Sequence, residues 1–80
     1  DTQFSLVIPQ GLAQMEFGQL FHHFKHDHDA ILLGVAHNLS AKNMDLNPPL
    51  SYPVNSGDIL HYIAIDRVLS NEVNWQELTQ

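Results

Sequence analysis

The chain has 80 residues, enough for one domain with one core, and an apolar share of 44% argues against disorder. Nine acids stand against Lys25, Lys42 and Arg67, and with a net charge of -6 these three cations are too few to neutralise a run of phosphates, which excludes nucleic-acid binding. Cysteine is absent, which excludes a disulfide framework and thiolate metal sites and fits a reducing cytosol.

Charged residues make up only 15% of the chain, below the roughly 25% usual for soluble domains, so part of the surface is expected to be covered by something other than water. No apolar run approaches the roughly 20 residues of a membrane span, and no signal peptide opens the chain. Asp1 rather than Met stands first, so residues 1-80 are expected to be a single domain cut from a longer protein.

In chain order, Phe4 to Ile8 is a β-rich run stopped by Pro9 and Gly11. Residues 12–16 connect it to a helix that begins at Glu16 or Phe17. Phe17, Leu20, Phe21 and Phe24 fall at i, i+3, i+4 and i+7, an apolar stripe that packs on a sheet. Gln19, His22, His23 and His26 are expected on the opposite, solvated side. Asp27 to Asp29 ends the helix.

Ala30 to His37 (AILLGVAH) is a continuous apolar run closed by a histidine, read as a strand covered on both faces. Residues 38–43 form a polar turn, and Met44 to Asn47 returns as a brief hairpin strand. Pro48 and Pro49 end that pairing because neither has an amide hydrogen. Residues 50–54 cross in extended form to the turn Asn55-Ser56-Gly57-Asp58, whose glycine accepts positive φ. Ile59 to Ile65 (ILHYIAI) is the last strand, with Leu60, Tyr62 and Ala64 on one side. Ile59, Ile63 and Ile65 lie on the other, with only His61 polar. Asn74 and Glu77 have capping-box spacing, so a short helix starts at Trp75.

The predicted fold is α+β: a β-α-β-β-β sandwich of a small, mostly antiparallel sheet, one packed helix and a short C-terminal helix. Eighty residues supply too little helix to cover both faces of two apolar strands. A second copy of the chain or a neighbouring domain is expected to cover the surplus.

The succession EFGQLF (16–21), AILLGV (30–35), LNPP (46–49) and SGDIL (56–60) resembles the C-terminal lobe of RCK domains, also called the TrkA-C domain. The likeness runs from about Phe4 to Ile65 in the family's order and spacing. It is nearest to the versions attached to bacterial potassium channels. The family commonly has a glycine where Gln14 stands, so the entry to the helix is expected to differ locally.

The resemblance implies a non-enzymatic regulatory lobe on the cytoplasmic side of the membrane, attached to a potassium channel or transporter. It also implies pairing as a homodimer within a larger ring, and a small ligand or cation at the dimer interface, with no contact residue carried over. The glycines at 11, 18, 34 and 57 never approach GxGxxG spacing, so no dinucleotide-binding loop is present. Interface candidates are His37, Ile59, His61 and Ile63.

The rival reading is a free-standing metal- or small-molecule-binding protein built on HHFKHDHD (22–29). His22 and His26, four apart on a helix, have the spacing to hold one zinc or nickel ion with Asp29 as third ligand. A plain solvated helix face explains them equally and is preferred. The same histidines would respond to pH near 6 to 7. His61 is read as a core or interface histidine, and Asp58 as a turn and cap residue. No nucleophile, paired carboxylates or acid–base pair in a cleft is recognisable, so no catalytic residues are expected.

Overall fold

The computed structural model describes residues 1–37 and 43–80. Four strands form one antiparallel sheet: β1 (Thr2–Val7), β3 (Ile31–Ala36), β4 (Asp45–Leu46) and β6 (Ile59–Ala64), in the order β1-β6-β3-β4. A second sheet joins β2 (Met15–Glu16) to β5 (Pro53–Val54). The main helix α1 is Phe17–His28, and the chain closes with a 3-10 turn (Ser70–Glu72) and the short helix α2 (Trp75–Leu78). The α+β class, the antiparallel sheet, the packed helix and the C-terminal helix agree with the sequence reading.

The predicted stripe builds the core. Phe17, Leu20 and Phe24 of α1 are buried, Phe21 is partly buried, and they pack with Leu32, Val35, Leu60 and Tyr62. The first two amides of α1 find partners in a neighbouring loop. Phe17 N donates to the Tyr52 carbonyl at 2.9 Å and Gly18 N to the Leu50 carbonyl at 2.8 Å, which satisfies helix-end donors beside the capping box of Glu16 and Gln19. At the other end Asp29 takes the left-handed conformation (φ 51°), and Ala30 N donates back to the Phe24 carbonyl. Inside the sheet, the Tyr62 hydroxyl accepts from Val68 N at 2.8 Å and donates to the Val68 carbonyl at 3.2 Å, tying residues 65–69 to the core.

Four local expectations are corrected. First, β1 starts two residues before Phe4, because its pairing partner β6 extends far enough to hold Thr2 against Ala64. Second, the β2–β5 sheet was not expected: two-residue strands carry no periodicity to read. Third, the register of β3 shifts between Leu32 and Gly34, a bulge at Leu33 that the continuous apolar run conceals.

The fourth correction concerns His23, which is not on a solvated side of α1. It is 8% exposed, beside a recess that α2 lines with Glu77 and Leu78. The predicted turn at 38–43 lies almost wholly outside the described residues. The predicted turn at 55–58 is present, with Gly57 at φ 86°.

Residues directly opposite in an antiparallel pair share a face, so the register assigns every side chain. Phe4, Leu6, Leu60, Tyr62, Leu32 and Val35 face the helix. Gln3, Ser5, Val7, Ile59, His61, Ile63, Ile31, Gly34, Ala36 and Leu46 rise from the opposite face. No described helix packs on that second face. Val7 is 48% exposed, Ile31 43% and Leu46 66%, although Ile59 and Ala36 are buried. The expectation that the chain's own fold would leave apolar surface uncovered is met in part on this sheet face, at Val7, Ile31 and Leu46, and elsewhere at Leu50, Ile65 and Leu69, which lie outside the strands.

Candidate functional site

Four side chains meet where β3 ends and β6 begins. His37 follows β3, Asp45 opens β4, Tyr52 precedes β5 and Asp58 precedes β6. His37 Nδ1 lies 3.2 Å from Asp58 Oδ1, and His37 Nε2 lies 2.7 Å from the Tyr52 hydroxyl oxygen and 3.5 Å from Asp45 Oδ2. The Tyr52 hydroxyl donates to Asp45 Oδ2. The imidazole and phenol rings stack at 6.1 Å between centroids, tilted by 23°.

Donor accounting fixes the roles. Tyr52 has one hydroxyl hydrogen and gives it to Asp45, so its oxygen accepts from His37 Nε2–H. An ionised Asp58 only accepts, so it asks for a hydrogen on Nδ1 as well. A neutral imidazole serves one of the two; the doubly protonated ring serves both. Asp58 is buried, and its other oxygen accepts from Asn55 N at 2.9 Å, which makes it the cap of the 55–58 turn. The Asp45 carboxylate beside the Tyr52 phenol, with some help from burial and from Asp58, pushes the phenol pKa up to about 12. Tyr52 is therefore a hydroxyl, not a phenolate, over the physiological range. Its carbonyl also caps α1, so the network is anchored to the main helix.

The other candidates are placed separately. Ile59, His61 and Ile63 lie side by side on the open sheet face, as the strand periodicity predicted, while His37 belongs to the polar cluster at its end. Ile59 is buried between Val7 and Ala36, and Ile63 and His61 are partly buried.

On α1, His22 and His26 are exposed. His26 Nδ1 sits 2.6 Å from Asp27 Oδ1, and Asp29, the candidate third ligand, pairs with Lys25 at 3.8 Å. Among the described residues, no group of three or more histidines and carboxylates is arranged to hold a metal ion. The hydrogen bond and charge of Asp27 raise the His26 pKa above its ordinary 6.5, and the same contact lowers that of Asp27. Asp27 also reaches His23 Nδ1 at 3.3 Å, while His23 Nε2 and His28 Nε2 are buried without a described partner.

Sequence reasoning found His37 and Asp58 one at a time but missed Tyr52 and Asp45. These sit 21 residues or fewer from one another in segments that carry no motif, so no spacing joins them. No family model, curated protein or solved structure matches this chain. No described helix is long and apolar enough to cross a membrane.

Proposed function

We propose that this chain is a non-enzymatic regulatory lobe of RCK C-terminal type, which pairs as a homodimer and serves a potassium channel or potassium transporter from the cytoplasmic side of the membrane. The potassium assignment rests on the resemblance carried by residues 16–21, 30–35, 46–49 and 56–60. The observation that supports pairing is the one-sided sheet, whose open face carries Val7, Ile31, Leu46 and Ile63 around the single imidazole of His61. A two-fold interface presents the same patch from each copy, and an apolar sheet face is self-complementary in that way. The His37–Tyr52–Asp45–Asp58 cluster at the end of the face is where a ligand could favour one arrangement of the pair by binding it more tightly.

Sedimentation equilibrium tests the pairing. The expected result is a dimer at micromolar concentration and a folded monomer, or insoluble protein, for Ile63→Lys. A parent chain that stays a well-folded monomer to hundreds of micromolar overturns it.

One observation favours a second reading, a metal- or small-molecule-binding protein using residues 22–28: the two buried, unpartnered nitrogens His23 Nε2 and His28 Nε2, on rings 5.6 Å apart. Submicromolar, one-to-one zinc binding by calorimetry, lost in His28→Ala, would select it.

A further inference from the structure

In a chain with nine acids and three cations, one recess has an arginine and a histidine in its wall and no carboxylate. It is a shallow, open recess of about 300 Å³ lined by Gln3, Phe4, Ser5, His61 and Arg67. Register explains part of the grouping: Ser5 lies opposite His61, and Gln3 opposite Ile63, so Gln3, Ser5 and His61 share one face. Phe4, on which Arg67 stacks, belongs to the helix face, and the recess spans the free edge of β1. Arg67 reaches the recess from the segment after β6. Tyr62 holds that segment through both polar backbone groups of Val68, the residue next to it.

The Arg67 guanidinium carbon stands 4.8 Å from the centre of the Phe4 ring, a cation–π contact. Stacking restrains the group while leaving its N–H donors free for a partner beside the ring. Among the described residues Arg67 has no carboxylate at ion-pair distance. The side chains of Gln3, Ser5 and His61 likewise enter none of the described hydrogen bonds.

We propose that this recess binds the carboxylate or phosphate group of a small anionic ligand. The four polar side chains can all donate: the fork of Arg67, a ring N–H of His61, the hydroxyl of Ser5 and the amide of Gln3. An oxyanion accepts several such bonds at once, and the arginine fork matches two oxygens of a carboxylate or phosphate. Of the chain's acids, Asp66 adjoins Arg67 in sequence and opposes an anion directly, whereas exposed charges farther than about 8–10 Å are screened at physiological ionic strength. The inference does not rest on the regulatory reading: the recess lies within one copy of the chain. Because it shares Ser5 and His61 with the face proposed to pair, a ligand there would oppose pairing over that part of the face.

The test is a nuclear magnetic resonance titration of the full chain with sodium phosphate and, separately, with sodium acetate, at ionic strength held constant with sodium chloride. Saturable shifts are expected at the Arg67 side-chain N–H and at the Ser5 and His61 amides, with none at Lys25, which is paired with Asp29. Saturation by acetate alone assigns a carboxylate, by phosphate alone a phosphoryl group, and by both a general oxyanion seat.

Affinity should fall at least fivefold in Arg67→Gln and less in Arg67→Lys, which keeps the charge but loses the fork. Should Arg67→Gln not fold, Ser5→Ala at an exposed position should weaken binding about twofold through one lost donor. Shifts that fail to saturate with either salt, that persist unchanged in the variants, or that appear equally at Lys25 overturn the proposal.

Discussion

His37 and Asp58 face each other at 3.2 Å across the start of the last strand, 21 residues apart in sequence, and Asp58 turns its second oxygen to Asn55 N. One buried carboxylate thus closes the turn and holds the end of β3. Asp58→Ala should destabilise the domain by about 1–3 kcal/mol, since it strands a backbone donor and a ring nitrogen in a part-buried place. Asp58→Asn, which keeps an acceptor, should cost less. Urea denaturation measures both; equal costs would mean that the acceptor kept by Asn recovers nothing, and no cost in either that neither contact matters.

Tyr52 should titrate late. Its ordinary value is 10.0 and the neighbouring Asp45 pushes it up to about 12. The folded value lies above the unfolded one, so the contribution to stability is fully present below pH 10 and is lost as pH rises through about 12. Ultraviolet absorbance of the phenolate should show a late-titrating component that is lost in Tyr52→Phe. In Asp45→Asn it should move back towards 10. A spectrum unchanged in Asp45→Asn would separate the two residues.

Gly34 is the position where β4 comes closest to β3. A Cβ there would lie 2.5 Å from the Asp45 carbonyl oxygen and 3.1 Å from the Leu46 Cα, both backbone atoms that cannot swing aside. Gly34→Ala should push β4 away, cost about 1–3 kcal/mol in thermal or urea unfolding, and return the Tyr52 titration towards its ordinary range. Lost stability with an unmoved Tyr52 would show that β4 does not carry Asp45 with it.

His26 and Asp27 give a stabilising window that closes at both ends of the pH range. The His26 value is raised, so its contribution is present below 6.5 and lost as pH rises through the folded value. Asp27 is lowered from 3.8, so its contribution is present above that and lost as pH falls through its folded value. Asp27→Asn should lower the His26 titration followed by its ring protons. An unmoved His26 would break the pair.

The helix and the two long strands were legible because each repeats a simple pattern: Phe17, Leu20 and Phe24 at helical spacing, and Leu60, Tyr62 and Ala64 at every second position. What stayed hidden depends on a neighbour that no local pattern names. His23 looks like its polar companions until α2 lies beside it. The bulge at Leu33 leaves no mark in a run that is apolar throughout. Tyr52 and Asp45 sit in segments read only as a crossing and a brief strand, and their meeting with His37 is set by the β3–β4 register and by the capping of α1. The bare sheet face was foreseen as surplus apolar surface, but only the register distributes it residue by residue.

Thr2 pairs with Ala64, so the first strand of the sheet is completed by the last. The sheet cannot be assembled strand by strand in chain order; β1 has to wait until β6 has been made. During that wait Phe4, Leu6 and Ile8 are in water, next to a strand edge with nothing to pair with. Slow translation of residues 59–64, or a break near residue 60, would therefore endanger the distant strand β1, and a chaperone that shields nascent chains would find apolar targets at Phe4, Leu6 and Ile8.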